Sequence, residues 1–109
     1  MAIRKLDLTP YEATPDFMRV PGAPVKDDIV QTALILRQLL LHPSRELNGE
    51  DLLRAWDVAK KLEGDSVLLE ENEWQELVAM LKVMKGFGAG NVVMVERVLR
   101  APIVPVKEA

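Results

Sequence analysis

The chain has 109 residues and a formal net charge of −3, and it is 49% hydrophobic but only 5% aromatic, which fits one domain with a core of Leu, Val, Ile and Met that covers roughly 65% of its unfolded surface. The absence of Cys excludes a disulfide framework and thiolate chemistry and is compatible with a reducing compartment. Mild acidity argues against nucleic-acid binding by counterion release, and neither a signal-peptide run nor an apolar segment of about 20 residues for a bilayer is present.

Residues 1–26 hold Pro10, Pro15, Pro21 and Pro24, four of the 7 prolines. Proline fixes φ and lacks the N–H, so no long helix runs here. Ile3, Leu6 and Leu8 alternate loosely, as in a short strand or extended arm. Phe17, Met18 and Val20 follow, ahead of the Pro21-Gly22 turn signal. An arm this apolar is expected to lie across the helices or across a neighbouring molecule. Leu6, Leu8, Tyr11 and Phe17 are its candidate partner-binding residues.

The stretch 27–42, DDIVQTALILRQLLLH, predicts a first helix over 27–41. Asp27 and Asp28 suit the positive end of its dipole, and Pro43 stops it. Only Gln31, Thr32, Arg37 and Gln38 give it a polar side. A helix apolar on most faces must be covered on most faces, which predicts a central helix or one shared with a partner subunit. The second helix opens at Asn48, the expected N-cap, with Leu47 and Leu52 as a hydrophobic staple. Leu52, Ala55, Trp56, Ala59 and Leu62 are its expected core stripe, and Gly64-Asp65 ends it. Val67, Leu68 and Leu69 read as a strand of two or three residues that could pair with the arm. One such pairing is marginal alone. The third helix is expected over 71–85 with a stripe of Trp74, Leu77, Val78, Leu81 and Met84 or Lys85. Gly86 is its C-cap. The fourth is expected over 91–100, with Val92, Val95, Val98 and Leu99 facing inward, and Pro102 ends it. The remaining residues, 102–109, form a short extended tail.

The expected fold is therefore mostly α: a four-helix domain over 27–101, a Pro-rich arm over 1–26, and at most a two-stranded β element.

Chemistry is thinly signalled. Gly86-Phe87-Gly88-Ala89-Gly90 has G-x-G-x-G spacing after a helix, whereas a dinucleotide loop has G-x-G-x-x-G after a strand. It reads as a helix connector, with Phe87 plugging the bundle end or pointing out as a contact. His42 has Ser44 nearby, but Pro43 intervenes and no third group suggests itself. Glu70, Glu71, Glu73 and Glu76 sit at a helix start, where acids are expected. Lys60, Lys61, Lys82, Lys85, Arg97 and Arg100 could gather on one side, but little aromatic interleaving accompanies them. No catalytic, metal-binding or cofactor-binding residue is assigned. Trp56 and Trp74 read as core.

The order of a KLDL-type start, a Leu-rich helix, HPSRELNGEDLLRAWDVAKKL, SVLLEENEWQELVAML and KGFGAGNVVMVERVLRAP resembles small proteins encoded by tailed bacteriophages and prophages. The resemblance covers residues 36–101. It implies a particle component, an assembly or accessory factor, or an early protein acting on a host target, located in the host cytoplasm or the virion. The expected function is a non-enzymatic protein–protein interaction module that self-associates or docks on a larger protein. The alternative is a small regulator that binds host transcription machinery or nucleic acid.

Overall fold

The computed structural model describes residues 3–14 and 29–105. In chain order these form β1 (Ile3–Asp7), β2 (Tyr11–Glu12), β3 (Ile29–Val30), α1 (Thr32–Leu40), α2 (Gly49–Lys61), β4 (Ser66–Glu70), α3 (Glu71–Val83), α4 (Val92–Leu99) and β5 (Ile103–Val104). Single 3₁₀ turns at Pro43–Arg45 and Ala89–Asn91 lie between helices.

The fold is α+β, which corrects the mostly α expectation. β4, β1 and β5 make a three-stranded antiparallel sheet with β1 in the middle, and β2 pairs with β3 in a separate two-stranded ladder. The β1–β4 register sets Leu6 opposite Val67 and Arg4 opposite Leu69. Period-two alternation therefore sends Arg4, Leu6, Val67 and Leu69 to one face. Leu6 and Leu69 on that face are fully buried, as is Leu8 just beyond the strand. The difference from the expectation lies in the number of strands. A lone hairpin is marginal, but a third strand and a helical cover on one face make a sheet self-sufficient.

The first helix is shorter than expected. It begins at Thr32, because Ile29–Val30 is drawn into the ladder with Tyr11–Glu12. The expected starting acids, Asp27 and Asp28, lie outside the described residues. Thr32, Leu36 and Leu40 recur at i, i+4 and i+8 and face the core. The Thr32 hydroxyl is satisfied by donating to the Thr9 carbonyl at 3.0 Å. Ala33, Ile35 and Leu39 are half-buried against the same core. The chain's own sheet and helices thus supply much of the cover that the sequence assigns to a bundle or a partner subunit.

α2 is capped as the sequence predicts: Asn48 Oδ1 accepts from the Asp51 N–H at 2.9 Å. Its buried face is Ala55, Val58, Ala59 and, just past the helix, Leu62. That face is rotated about 50° from the expected stripe, at 100° per residue. Val58 replaces Leu52 and Trp56 inside. α3 is held at its start by the Glu73 carboxylate, which accepts from the Glu70 N–H at 2.9 Å. It buries Leu77, Val78 and Met80. α4 buries Met94 and Val98, while Val92 and Leu99, expected inside, are exposed. Gly64 and Gly86 take φ of +74° and +90° where α2 and α3 hand over to the next segment, a conformation costly for any side chain.

The described parts of the arm and of the tail belong to this one unit. Lys5 N–H donates to the Pro102 carbonyl at 3.0 Å and Leu8 N–H to the Asp65 carbonyl at 2.8 Å. Arg4 joins three elements. It lies 3.7 Å over the Trp74 ring, pairs with both Glu71 carboxylate oxygens at 3.0 and 3.4 Å, and donates to the Ala101 carbonyl at 2.9 Å. Trp74 in turn donates from Nε1 to the Val98 carbonyl at 2.7 Å. A stacked, bidentate Arg is worth more than a surface pair because its planar fork is already arranged for both tasks.

Candidate protein-docking surface

The residues singled out from the sequence separate into three groups. Leu6 and Leu8 belong to the core, so their side chains are not available to a partner in this structure. Phe17 lies outside the described residues. Tyr11 and Phe87 are half-buried against the core. The Tyr11 hydroxyl donates to the Gly90 carbonyl at 2.8 Å, and Arg97 faces its ring at 5.2 Å. Burial raises this phenol above its ordinary 10.0. Tyr11 therefore ties the N-terminal ladder to the Gly-rich connector. Phe87 lines an open groove of about 540 Å³ with Val92, Val95 and Leu99. It partly plugs the end of α4 and partly remains reachable.

Polar residues read as possible chemistry turn out to hold the fold. His42 Nδ1 accepts from the Ser44 N–H at 3.1 Å and lies 2.7 Å from Ser44 Oγ. The ring nitrogen that would act as a base already closes the turn after α1. Glu71 is engaged by Arg4, and Glu73 by Lys61. Glu76 is engaged by Arg45. The Glu73 partner raises the Lys61 ammonium pKa above its ordinary 10.5. Arg45 and Glu76 form a buried pair at 3.4 Å, with side chains only 5% and 16% exposed. Arg45 also donates to the Leu40 carbonyl at 2.7 Å, capping the negative end of α1. Its Nε has no hydrogen-bond partner among the described residues.

Of the cations considered for nucleic acid, Lys60, Lys61, Arg97 and Arg100 are each paired with an acid. Arg97 sits 3.7 Å from Asp7 and donates to the Thr9 carbonyl at 2.6 Å. Arg100 pairs with Glu96 at 3.0 Å. These residues, with Lys5, Ser66, Val93 and Pro102, border an open cleft of about 690 Å³ between the outer sheet face and α4. Three cations and two carboxylates give it little net field. Asp7 itself is held below its ordinary 3.8, first by the Thr9 N–H, then by the Thr9 hydroxyl.

The surface that sequence reasoning missed is the outer side of α2. Leu52, Leu53 and Trp56 are 45%, 65% and 51% exposed. Trp56 is the helix neighbour of both leucines, at i+4 from Leu52 and i+3 from Leu53. About half of Leu52 and Trp56 and most of Leu53 is left open, because Ala55, Val58, Ala59 and Leu62 already occupy the inward side. The signal was present as an excess: α2 and its flank carry more apolar residues than one stripe holds. Assigning Trp56 to the core hides that excess. A patch with a large aromatic at its centre has the composition of an interface anchor.

Comparison of the chain with protein-family models, with curated proteins and with solved structures found no match. Among the described residues no helix is long and apolar enough to cross a membrane.

Proposed function

We propose that this chain is a non-enzymatic protein–protein interaction module that docks through the outer face of α2. The single observation that carries the reading is the exposure of Leu52, Leu53 and Trp56 together on one helix. A stable fold gains by burying such groups, at about 25 cal/mol per Å². Here the core is completed without them, so the burial is left for a partner. Trp is among the residues most enriched in groups that dominate binding energy. The pairing of Arg97 with Asp7 and of Arg100 with Glu96 favours a protein partner over a polyanion. The resemblance of residues 36–101 to small proteins of tailed phages supports reading the module as a particle component or an assembly factor, working in the host cytoplasm or the virion.

The test is affinity capture from phage-producing host cells with wild type and with Leu53→Glu or Trp56→Glu as bait. Proteins held by wild type and lost with both variants are the expected result. An identical captured set from all three baits would defeat the assignment of this face.

A further inference from the structure

We propose that the partner of α2 is a second copy of this chain, paired helix against helix in the antiparallel sense; the inference rests on the reading of α2 as a docking face. At 100° per residue, Gly49, Leu53, Trp56 and Lys60 fall on one line at i, i+4, i+7 and i+11. Leu52 stands beside that line and adds to its apolar width. All five are exposed.

The line is complementary to itself when reversed. Turned about a two-fold axis between Leu53 and Trp56, it sets Leu53 of one copy against Trp56 of the other, twice. The same operation sets Gly49 against Lys60, twice. Gly49 is the position that leaves room: among the described residues nothing lies within 4 Å of where its Cβ would be. The aliphatic stem of Lys60 can lie over that gap, as long cationic side chains do over apolar surface. Its ammonium then reaches the acids of the opposite first turn.

Charge runs in the same direction. α2 carries Glu50 and Asp51 in its first turn and Lys60 and Lys61 in its last. A parallel pair would bring acid to acid and base to base. An antiparallel pair brings Glu50 to Lys60 at both ends. Charge at the flanks of paired helices selects orientation in this way. An isologous contact of this kind closes at two copies, because each copy offers one such face. A single helix pair buries less than a standard interface, which fits an association of modest strength that concentration or a particle lattice would drive.

Sedimentation velocity on the full chain at micromolar to sub-millimolar concentration tests the pairing. Wild type is expected to pass from monomer to dimer, and Leu53→Glu and Trp56→Glu to remain monomeric with unchanged helical circular dichroism. Glu50→Lys and Lys60→Glu should each weaken the dimer by about tenfold. A one-to-one mixture of those two variants should recover it, because every acid–base contact across the mixed pair is restored, with its direction reversed at one end. Wild type that stays monomeric throughout overturns the pairing, while the capture experiment above still decides whether α2 docks another protein. A dimer that survives both Leu53→Glu and Trp56→Glu overturns it as well. So does a mixture no tighter than either charge variant alone.

Discussion

Residues 3–12 and α2 both carry apolar side chains in excess of an ordinary surface segment, and they end in opposite places. In and just after β1, Leu6 and Leu8 alternate toward the core and vanish into it. In α2 the apolar residues exceed what one face can hold, and Leu52, Leu53 and Trp56 remain in water. By composition the Pro-rich arm is the sticky part of the molecule and the capped helix its scaffold. In the fold, residues 3–12 of that arm are scaffold and α2 keeps an exposed apolar face. Apolar content says that a segment wants cover; its period relative to the neighbours that exist says whether it gets it.

That contrast can be broken at its stronger end first. Deleting residues 1–8 removes the middle strand of the sheet and is expected to abolish the cooperative melt followed by circular dichroism. The milder Leu6→Ala should cost about 2–5 kcal/mol in urea denaturation, through lost burial and the cavity left behind. A melt left intact by the deletion would put Leu6 and Leu8 back among the docking residues. The link that delivers α2 from α1 comes next. Glu76→Ala strands the buried Arg45 charge and should cost about 3–5 kcal/mol. Asn48→Ala removes the cap of α2 and should cost about 1 kcal/mol. Trp56→Ala, at the weaker end, should change stability by less than about 0.5 kcal/mol while abolishing association. A large stability loss there would put Trp56 back in the core.

The smallest effect is a matter of pH. Asp7 is held below its ordinary 3.8, chiefly by the Thr9 N–H and hydroxyl. A carboxylate with a lowered folded-state pKa lends stability above its unfolded value and loses it as pH falls through the folded one. Asp7→Asn should therefore slightly flatten the acid limb of stability against pH, with neutral-pH folding retained. An acid limb unchanged by the substitution would show that the turn at Thr9 contributes nothing.

What can be read from the sequence is local. The Asn48 cap, the glycines closing α2 and α3, the helix stops before Pro43 and Pro102, and a strand at Val67–Leu69 all depend on residues within a few positions of each other. The pairing of residues 66–70 with the arm is legible as a possibility and β1 makes it, but its second pairing, with residues 103–104 near the far end of the chain, is not. Nor is the Arg4 cluster, whose members are 67 and 97 residues apart along the chain. The facing of α2 and α4 escapes for a related reason. A helix with apolar residues on two sides does not declare which side its neighbours take. At the candidate surface the residues are visible, but the size of Trp56 assigns it to the core by default.

The middle position of β1 also sets the order in which this protein can become itself. β1 precedes both of its neighbours along the chain, so it leaves the ribosome before either. It gains one neighbour only when Ser66–Glu70 exists and the other only when Ile103–Val104 exists. Until then Leu6 and Leu8 stay wet, and Arg4 lacks both Glu71 and the Ala101 carbonyl. Pairings this distant along the chain are slow to close. The nascent molecule thus makes α1 and α2 before β1 has a partner strand, and Ile103–Val104 completes the sheet after α3 and α4 have been made.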